Sequence, residues 1–197
     1  MPMDDPHDTP EVLELLRIIE GIAASAESFS GVIVRSVGMR YATESNFFAG
    51  TGAAKAGGRW NRVGIAAVYA SLDLITATTE AYQAFLHYGF PLAGLRPRAT
   101  AGARVMLSKV IDLTDPATRR KLGFSLKQLT DEDWRAIQRD GDESWTQAIG
   151  RGALLCGVEA ILVPSARHPG GKNIVIFPAN LAPTSSLQVL GSDDLLG

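Results

Sequence analysis

GGRWNRVGIAAVYASLDLITATTE occupies residues 57–80, and its three parts predict three kinds of backbone. The paired glycines open a loop that can approach a ligand closely or take positive φ. AAVYAS, at 66–71, reads as a short strand, since Val and Tyr suit a pleated backbone. A helix starts at Ser71 or Asp73, either of which can accept from a free first-turn N–H. It runs to about His87 and stops at Gly89 and Pro91. A second stretch, GVEAILVPSARHPGGKNIVIF at 157–177, holds apolar runs at 159–163 and 173–177. Pro164 and Pro178 close them, and the polar loop 165–172 joins them, which predicts two buried strands.

Working outward, Val12, Leu15, Leu16, Ile19 and Ile22 recur at helical spacing and predict an amphipathic helix over 11–24. The β-branched run VIVR predicts a strand over 31–37 that carries Arg35 near its end. Residues 46–61 are rich in glycine and poor in large apolar groups, so they read as a loop. Alternating apolar positions predict a strand over 102–113. Trp134 and Ile137 sit at helical spacing within 115–140, predicting one or two short helices, and 144–156 reads as another helix. Residues 1–10 are polar and proline-bearing, which predicts a mobile end; beyond Leu181 no pattern is readable. Strands outside a regular βαβ alternation indicate an α+β fold.

The chain has 197 residues, 46% of them apolar, enough for one domain with one sizeable core. A formal net charge of −2 argues against a dedicated nucleic-acid binder, which carries a basic stripe. It leaves small anions open, because a few placed arginines bind phosphate without making a protein basic. Cys156 is the only cysteine, so no intrachain disulfide forms, and its apolar neighbours make it a small core residue. The first residues are unlike a signal peptide, and no apolar run approaches the ~20 residues that span a bilayer. The expected location is the cytoplasm.

Several familiar sites are excluded. His7, His87 and His168 lie apart from one another and from the cysteine, so no dedicated metal site is expected. GTGAAK at 50–55 lacks the third glycine of a dinucleotide fingerprint. Gly170, Gly171 and Lys172 lack the remainder of a phosphate-binding P-loop. VPSAR around Ser165 is not a nucleophile elbow.

Three residues stand out. Arg59 projects a planar fork from the glycine-rich loop, suited to two phosphate oxygens; a surface arginine after a turn, with Trp60 as anchor, is the plainer reading. Leu74, Ala77, Ala81, Ala84, Phe85 and Tyr88 would face inward on their helix, leaving Glu80 at the border beside small neighbours, half out of water. A solvated helix carboxylate is the alternative. Ser165 ends a buried strand, where ligand contacts are common and turn or cap serines more so. Tyr69 alternates with Val68, so one of them faces the core.

Together, the two quoted blocks resemble the RES domain, named for its Arg, Glu and Ser. Arg59, Glu80 and Ser165 fall on those positions in order; Tyr69, Arg35 and Asn173 also match, with Tyr41 as another candidate for an aromatic expected near Arg35. The likeness covers about 32–181 and divides the chain into an N-terminal extension with a helix (1–30), a catalytic domain (31–182) and a tail (183–197). It implies an ADP-ribosyltransferase-like core of two small β-sheets with flanking helices and a cleft for NAD. It further implies a toxin of a toxin–antitoxin system, neutralised by an Xre-type antitoxin, that depletes NAD by hydrolysis or phosphorolysis of the nicotinamide–ribose bond. NAD is then substrate, and no cofactor is expected. Glu80, Arg59 and Ser165 become the catalytic set, and Arg35, Arg59, Tyr69, Ser165 and Asn173 the NAD-binding set. Physically, Arg59 and Arg35 could grip a diphosphate, Tyr69 could stack on the nicotinamide cation, and Glu80 could stabilise an oxocarbenium-like ribose. Transfer of ADP-ribose to a protein, a non-catalytic NAD-binding module, docking of the antitoxin on the N-terminal helix, and a homo-oligomer all remain open at this level.

Overall fold

The computed structural model describes residues 5–39, 43–87 and 98–190. Helix α1 (Pro10–Ala23) begins where Thr9 accepts from the Val12 N–H and Pro10 fixes the first turn. Its Val12, Leu15, Leu16, Ile19 and Ala23 are buried, a stripe at helical spacing, and it packs on α8 (Trp145–Leu155). Gly152 permits that approach, since a Cβ there would lie 2.6 Å from Ile19 and 2.9 Å from Leu16. The apolar face of the N-terminal helix is therefore core, not a docking surface.

The remaining elements are β1 (Glu27–Gly38), α2 (Glu44–Phe47), α3 (Thr51–Ala56), β2 (Val68–Ser71), α4 (Leu74–His87), β3 (Arg98–Asp112), α5 (Pro116–Leu122), α6 (Leu126–Asp131) and α7 (Trp134–Arg139). After α8 come β4 (Ala160–Pro164), β5 (Lys172–Ile176) and β6 (Ser186–Val189). The α+β class holds. The expected pair of small sheets is not seen among the described residues: hydrogen bonding unites their strands in one six-stranded sheet, ordered β1-β2-β5-β4-β3-β6, with β1 also paired to β3. The reason is the length of β3, roughly 50 Å at ~3.3 Å per residue. One of its edges runs antiparallel to β1, while the other takes β6 at 103–106 and β4 in parallel at 110–112. Because Val34 pairs with Ser71, five strands close back on themselves from β1 through β2, β5, β4 and β3.

Strand alternation sorts the apolar residues into two cores. Leu162, Ile174, Ile176, Val68 and Ile33 share the inner cluster, whereas Ile161, Val163, Val175 and Phe177 face α1 and α8. Covered on both faces, β4 and β5 have no polar alternation, and each large side chain buried there contributes about 1.5–3 kcal/mol. Val68 is the inward member of its pair; Tyr69 packs against the other cluster.

Other departures from the sequence reading have local causes. Within 46–61, α2 and α3 form where a loop is expected: Thr43 caps the first, and Gly50 and Gly57, at φ 66° and 71°, bracket the alanines of the second. Residues 115–140 form three helices. Leu74 is 59% exposed instead of facing inward, while Ala77 is buried; Tyr88 and the side chains of Ala84 and Phe85 lie outside the described residues. Residues 5–8, expected to be mobile, are tied down: Asp5 pairs with Arg62, and Asp8 with Arg151. Beyond Leu181, β6 adds to the sheet edge.

Candidate active site

Asp73, rather than Ser71, caps α4 by accepting from the Thr76 N–H at 2.8 Å, and those hydrogen bonds hold its carboxyl below the ordinary value. Thr76 also donates its hydroxyl hydrogen to Asp73, so the His168 Nδ1 at 2.8 Å from the same oxygen must be the protonated nitrogen. That contact ties the loop after β4 to the start of α4. About one turn further along α4, Glu80 meets the same loop and β5.

Glu80 Oε1 accepts from the Ser165 hydroxyl at 2.6 Å and from Asn173 Nδ2 at 2.8 Å. Ser71 Oγ donates to Asn173 Oδ1 at 2.7 Å, which fixes the amide with its nitrogen toward the carboxylate. Both donors use one oxygen; Oε2 has no hydrogen-bond donor among the described residues. Ser165 is 6% exposed, and its oxygen additionally accepts from the Arg167 and His168 N–H groups. Sequence logic treated Ser165 as a ligand contact or a turn residue, and its hydroxyl in fact joins the turn to the acid.

The GGRWN loop is built around Tyr69. Its phenol donates to Asn61 Oδ1 at 2.7 Å and accepts from the Trp60 N–H at 2.9 Å. Burial raises the pKa of this phenol well above the usual tyrosine range. A Cβ at Gly58 would fall 2.5 Å from that phenol oxygen, so the second glycine is required by close approach. Asn61, fully buried, donates to the carbonyls of Ala53, Arg62 and Ile65. With the hydroxyl anchored in this way, only the ring of Tyr69 is presented to the cleft.

Arg59 Nη1 donates to the carbonyls of Leu129 and Glu132, both at 3.0 Å, which aims the guanidinium across the cleft. Burial is the main cause that pulls its pKa down; nearby Glu132 opposes this, Arg167 and Arg135 add to it, and Glu80 opposes it. A cleft of about 580 Å³ is lined by Arg59, Tyr69, Glu80, Asn173, Arg135 and Arg167, among others. Tyr69, Glu80 and Asn173 also line an adjoining hollow of about 220 Å³ that holds Arg35, Ser36 and Ser71. There Arg35 donates to the Tyr69 carbonyl at 3.4 Å and lies 5.8 Å from the centre of the Phe47 ring.

Of the site residues singled out from the sequence, Arg59, Glu80, Tyr69 and Asn173 line the cleft, Ser165 bonds Glu80, and Arg35 lies in the adjoining lobe. Arg35 and Arg59 line different hollows, and Glu80 lines both. Tyr41 lies outside the described residues. Ser71, Asn61, Arg135 and Arg167 escape the sequence reading. Arg167 has a signal, its place two residues after Ser165 in VPSAR. Buried Asn61 has none beyond the motif itself. No cluster of metal-ligating side chains occurs among the described residues, and none of their helices is long and apolar enough to cross a membrane.

The family model described as the RES domain matches residues 32–193. No curated protein sequence matches at a significant level. Among solved structures, a chain of the M. tuberculosis MbcT–MbcA toxin–antitoxin complex is similar, with a TM-score of 0.69 and 22% identity over 89% of this chain and 88% of that one. At that identity the likeness is one of fold.

Proposed function

The chain belongs to the RES domain family, and from that premise we propose that it is a toxin enzyme which depletes NAD by cleaving the nicotinamide–ribose bond. One observation carries the reading: Glu80 lines the cleft that contains Arg59, held on one oxygen by Ser165 and Asn173, with no hydrogen-bond donor to its other oxygen among the described residues. The chemistry needs such a group. As the bond from ribose C1′ to the ring nitrogen breaks, its electron pair leaves with nicotinamide, which departs neutral, and positive charge develops on the sugar. A carboxylate fixed before the reaction stabilises that charge without reorganising. A water oxygen, or a phosphate oxygen in phosphorolysis, then bonds to C1′. In hydrolysis the water proton passes to Glu80 or to solvent. No strong general acid is needed, and among the described residues no histidine lines the cleft.

The other residues have roles that follow from their anchoring. Tyr69 offers a ring face on which the cationic nicotinamide can stack, because its hydroxyl is fixed inward. Ser165 and Asn173 act as positioning residues for Glu80. Arg59 offers Nε and Nη2 to anionic oxygens, since its Nη1 holds the carbonyls of α6 and the residue that follows it. The ADP-ribosyltransferase-like character of the cleft belongs to this proposal. So do the catalytic domain at 31–182 and a cytoplasmic setting, where NAD is available. The likeness in fold to a chain of a toxin–antitoxin complex supports an antitoxin as its partner.

The test is release of nicotinamide from NAD by purified protein, with and without inorganic phosphate. Glu80→Gln keeps the shape and removes the charge, so release is expected to fall by ~10²-fold or more. Full activity in that variant removes Glu80 from the mechanism, and no release by the unaltered protein under either condition sinks the proposal. The phosphate arm tells phosphorolysis from hydrolysis by the product, ADP-ribose phosphate or free ADP-ribose.

A further inference from the structure

Beyond the wall formed by Pro164, Ala166 and Arg167, the cleft is followed by another hollow of about 440 Å³, lined by Thr114, Arg119, Leu126, Thr130 and Lys172 among others. Those three wall residues line both spaces. Two hollows therefore adjoin the cleft: the Arg35 lobe, which shares Tyr69, Glu80 and Asn173 with it, and the space lined by Thr114 and Lys172, which shares Pro164, Ala166 and Arg167.

Arg167 stands at the second junction. Among the described residues, its guanidinium makes no hydrogen bond or ion pair, and its nitrogens are not buried. Its main chain is fixed, however: the Arg167 N–H donates to Ser165 Oγ at 3.2 Å, the oxygen that also donates to Glu80. The main chain that carries the cation is thus tied to the group that holds the acid. Across the same cleft Arg59 is held by two carbonyls, and the charge of Arg167 reaches it strongly enough to help lower its pKa. Two guanidiniums facing one space repel until an anion sits between them. An anion with oxygens on two sides, such as a diphosphate, can receive planar hydrogen-bond forks from both.

We propose that Arg59 and Arg167 form a two-sided clamp for the diphosphate of a dinucleotide, with its distal nucleoside in the hollow beyond Arg167. The proposal rests on the reading of the site as one that cleaves NAD. It pairs Arg59 with Arg167, which lines the same cleft, in place of Arg35, which lines the adjoining hollow. It makes Arg167 a specificity-determining residue: it selects substrates with a phosphate bridge over a bare nicotinamide riboside.

Two measurements test it on the full chain and on Arg167→Ala and Arg167→Lys, each first checked for an unchanged thermal melt. The first is calorimetric binding of ADP, which carries the diphosphate and the distal nucleoside and needs no catalysis. ADP affinity is expected to drop about tenfold or more in Arg167→Ala and to recover partly in Arg167→Lys, which keeps the charge and loses the fork. The second is the ratio of kcat/KM for NAD to that for nicotinamide riboside, expected to fall by a similar factor in Arg167→Ala. Unchanged ADP affinity and an unchanged ratio in a variant that still cleaves NAD overturn the clamp while leaving the NAD reading intact. Arg167-dependent ADP binding by a protein that releases no nicotinamide keeps the clamp and removes the NAD reading. Failure of the unaltered chain to bind ADP overturns the clamp outright.

Discussion

At Asn173 the side-chain amide must turn its nitrogen toward Glu80, because a carboxylate oxygen can only accept. Ser71 makes that orientation the preferred one by donating to the amide oxygen. Ser71 is 3% exposed and lies one residue pair from the acid, so it acts through Asn173. Replacing Ser71 by Ala removes the donor and lets the amide flip, which would set its oxygen against the carboxylate. We expect Ser71→Ala to lower kcat for nicotinamide release about threefold to tenfold, a loss of ~1 kcal/mol or slightly more, while KM changes less. A fall confined to KM would mean that Ser71 serves substrate binding instead. In the sequence Ser71 reads equally well as a helix cap, and nothing local distinguishes the two. The cap proves to be Asp73, which frees Ser71 for a partner 102 residues away that no spacing rule can reveal.

The loop that carries Arg59 owes its shape to the helix behind it as much as to its own glycines. A Cβ at Gly150 in α8 would lie 1.8 Å from the Trp60 carbonyl oxygen and 2.7 Å from its carbon, and a main-chain group cannot rotate aside. Gly150→Ala therefore has to push α8 and the loop apart, at a cost of roughly 1–3 kcal/mol for overpacking. The expected outcome is a lower midpoint of thermal unfolding together with a raised KM for NAD, since Arg59 and the anchor of Tyr69 move with Trp60. An unaltered melt would show that this contact is looser than its geometry states. This contact also marks what was legible at the scale of elements. Helices with a long apolar stripe, such as α1, and strands buried on both faces, such as β4 and β5, announce themselves because one pattern repeats over several residues. The short helices α2 and α3 are defined by capping and by positive-φ glycines, within a stretch whose composition resembles a loop. Strand β6, SLQV, has one buried residue in four and exists because the long edge of β3 is available to it. The count of sheets was likewise set by pairing across the whole chain, which no local pattern carries.

Across the molecule, a partly buried ionic cluster ties the N-terminal segment to the segment after the Arg59 loop and to α8. Arg151, 5% exposed, donates to Glu143 at 2.8 Å and to Asp8 at 2.9 Å. Arg62, three residues past Arg59, pairs with Asp5 and lies 3.8 Å from Glu143. Residues 5–8 thereby fasten the glycine-rich loop and α8 to the start of α1. Removing one partner from such a cluster leaves a charge stranded, whereas the intact set balances much of its own desolvation. Its response to acid has a definite sign. The hydrogen bond from Arg62, the largest cause, holds the Asp5 carboxyl well below its ordinary value of 3.8. Because the folded-state pKa is the lower one, the unfolded chain takes up the proton first. The contribution is fully present above about pH 4–5 and is lost as pH falls toward the depressed value. The midpoint of thermal unfolding should accordingly drop between pH 5 and pH 3 by more in the unaltered protein than in Asp5→Asn, which has no carboxyl to protonate. Asp5→Asn should also be the less stable of the two at pH 7, with the gap closing as acid is added. Parallel acid profiles for the two proteins would show that Asp5 is not coupled to the fold, and the fastening of the Arg59 loop would then have to come from Asn61 and α8 alone.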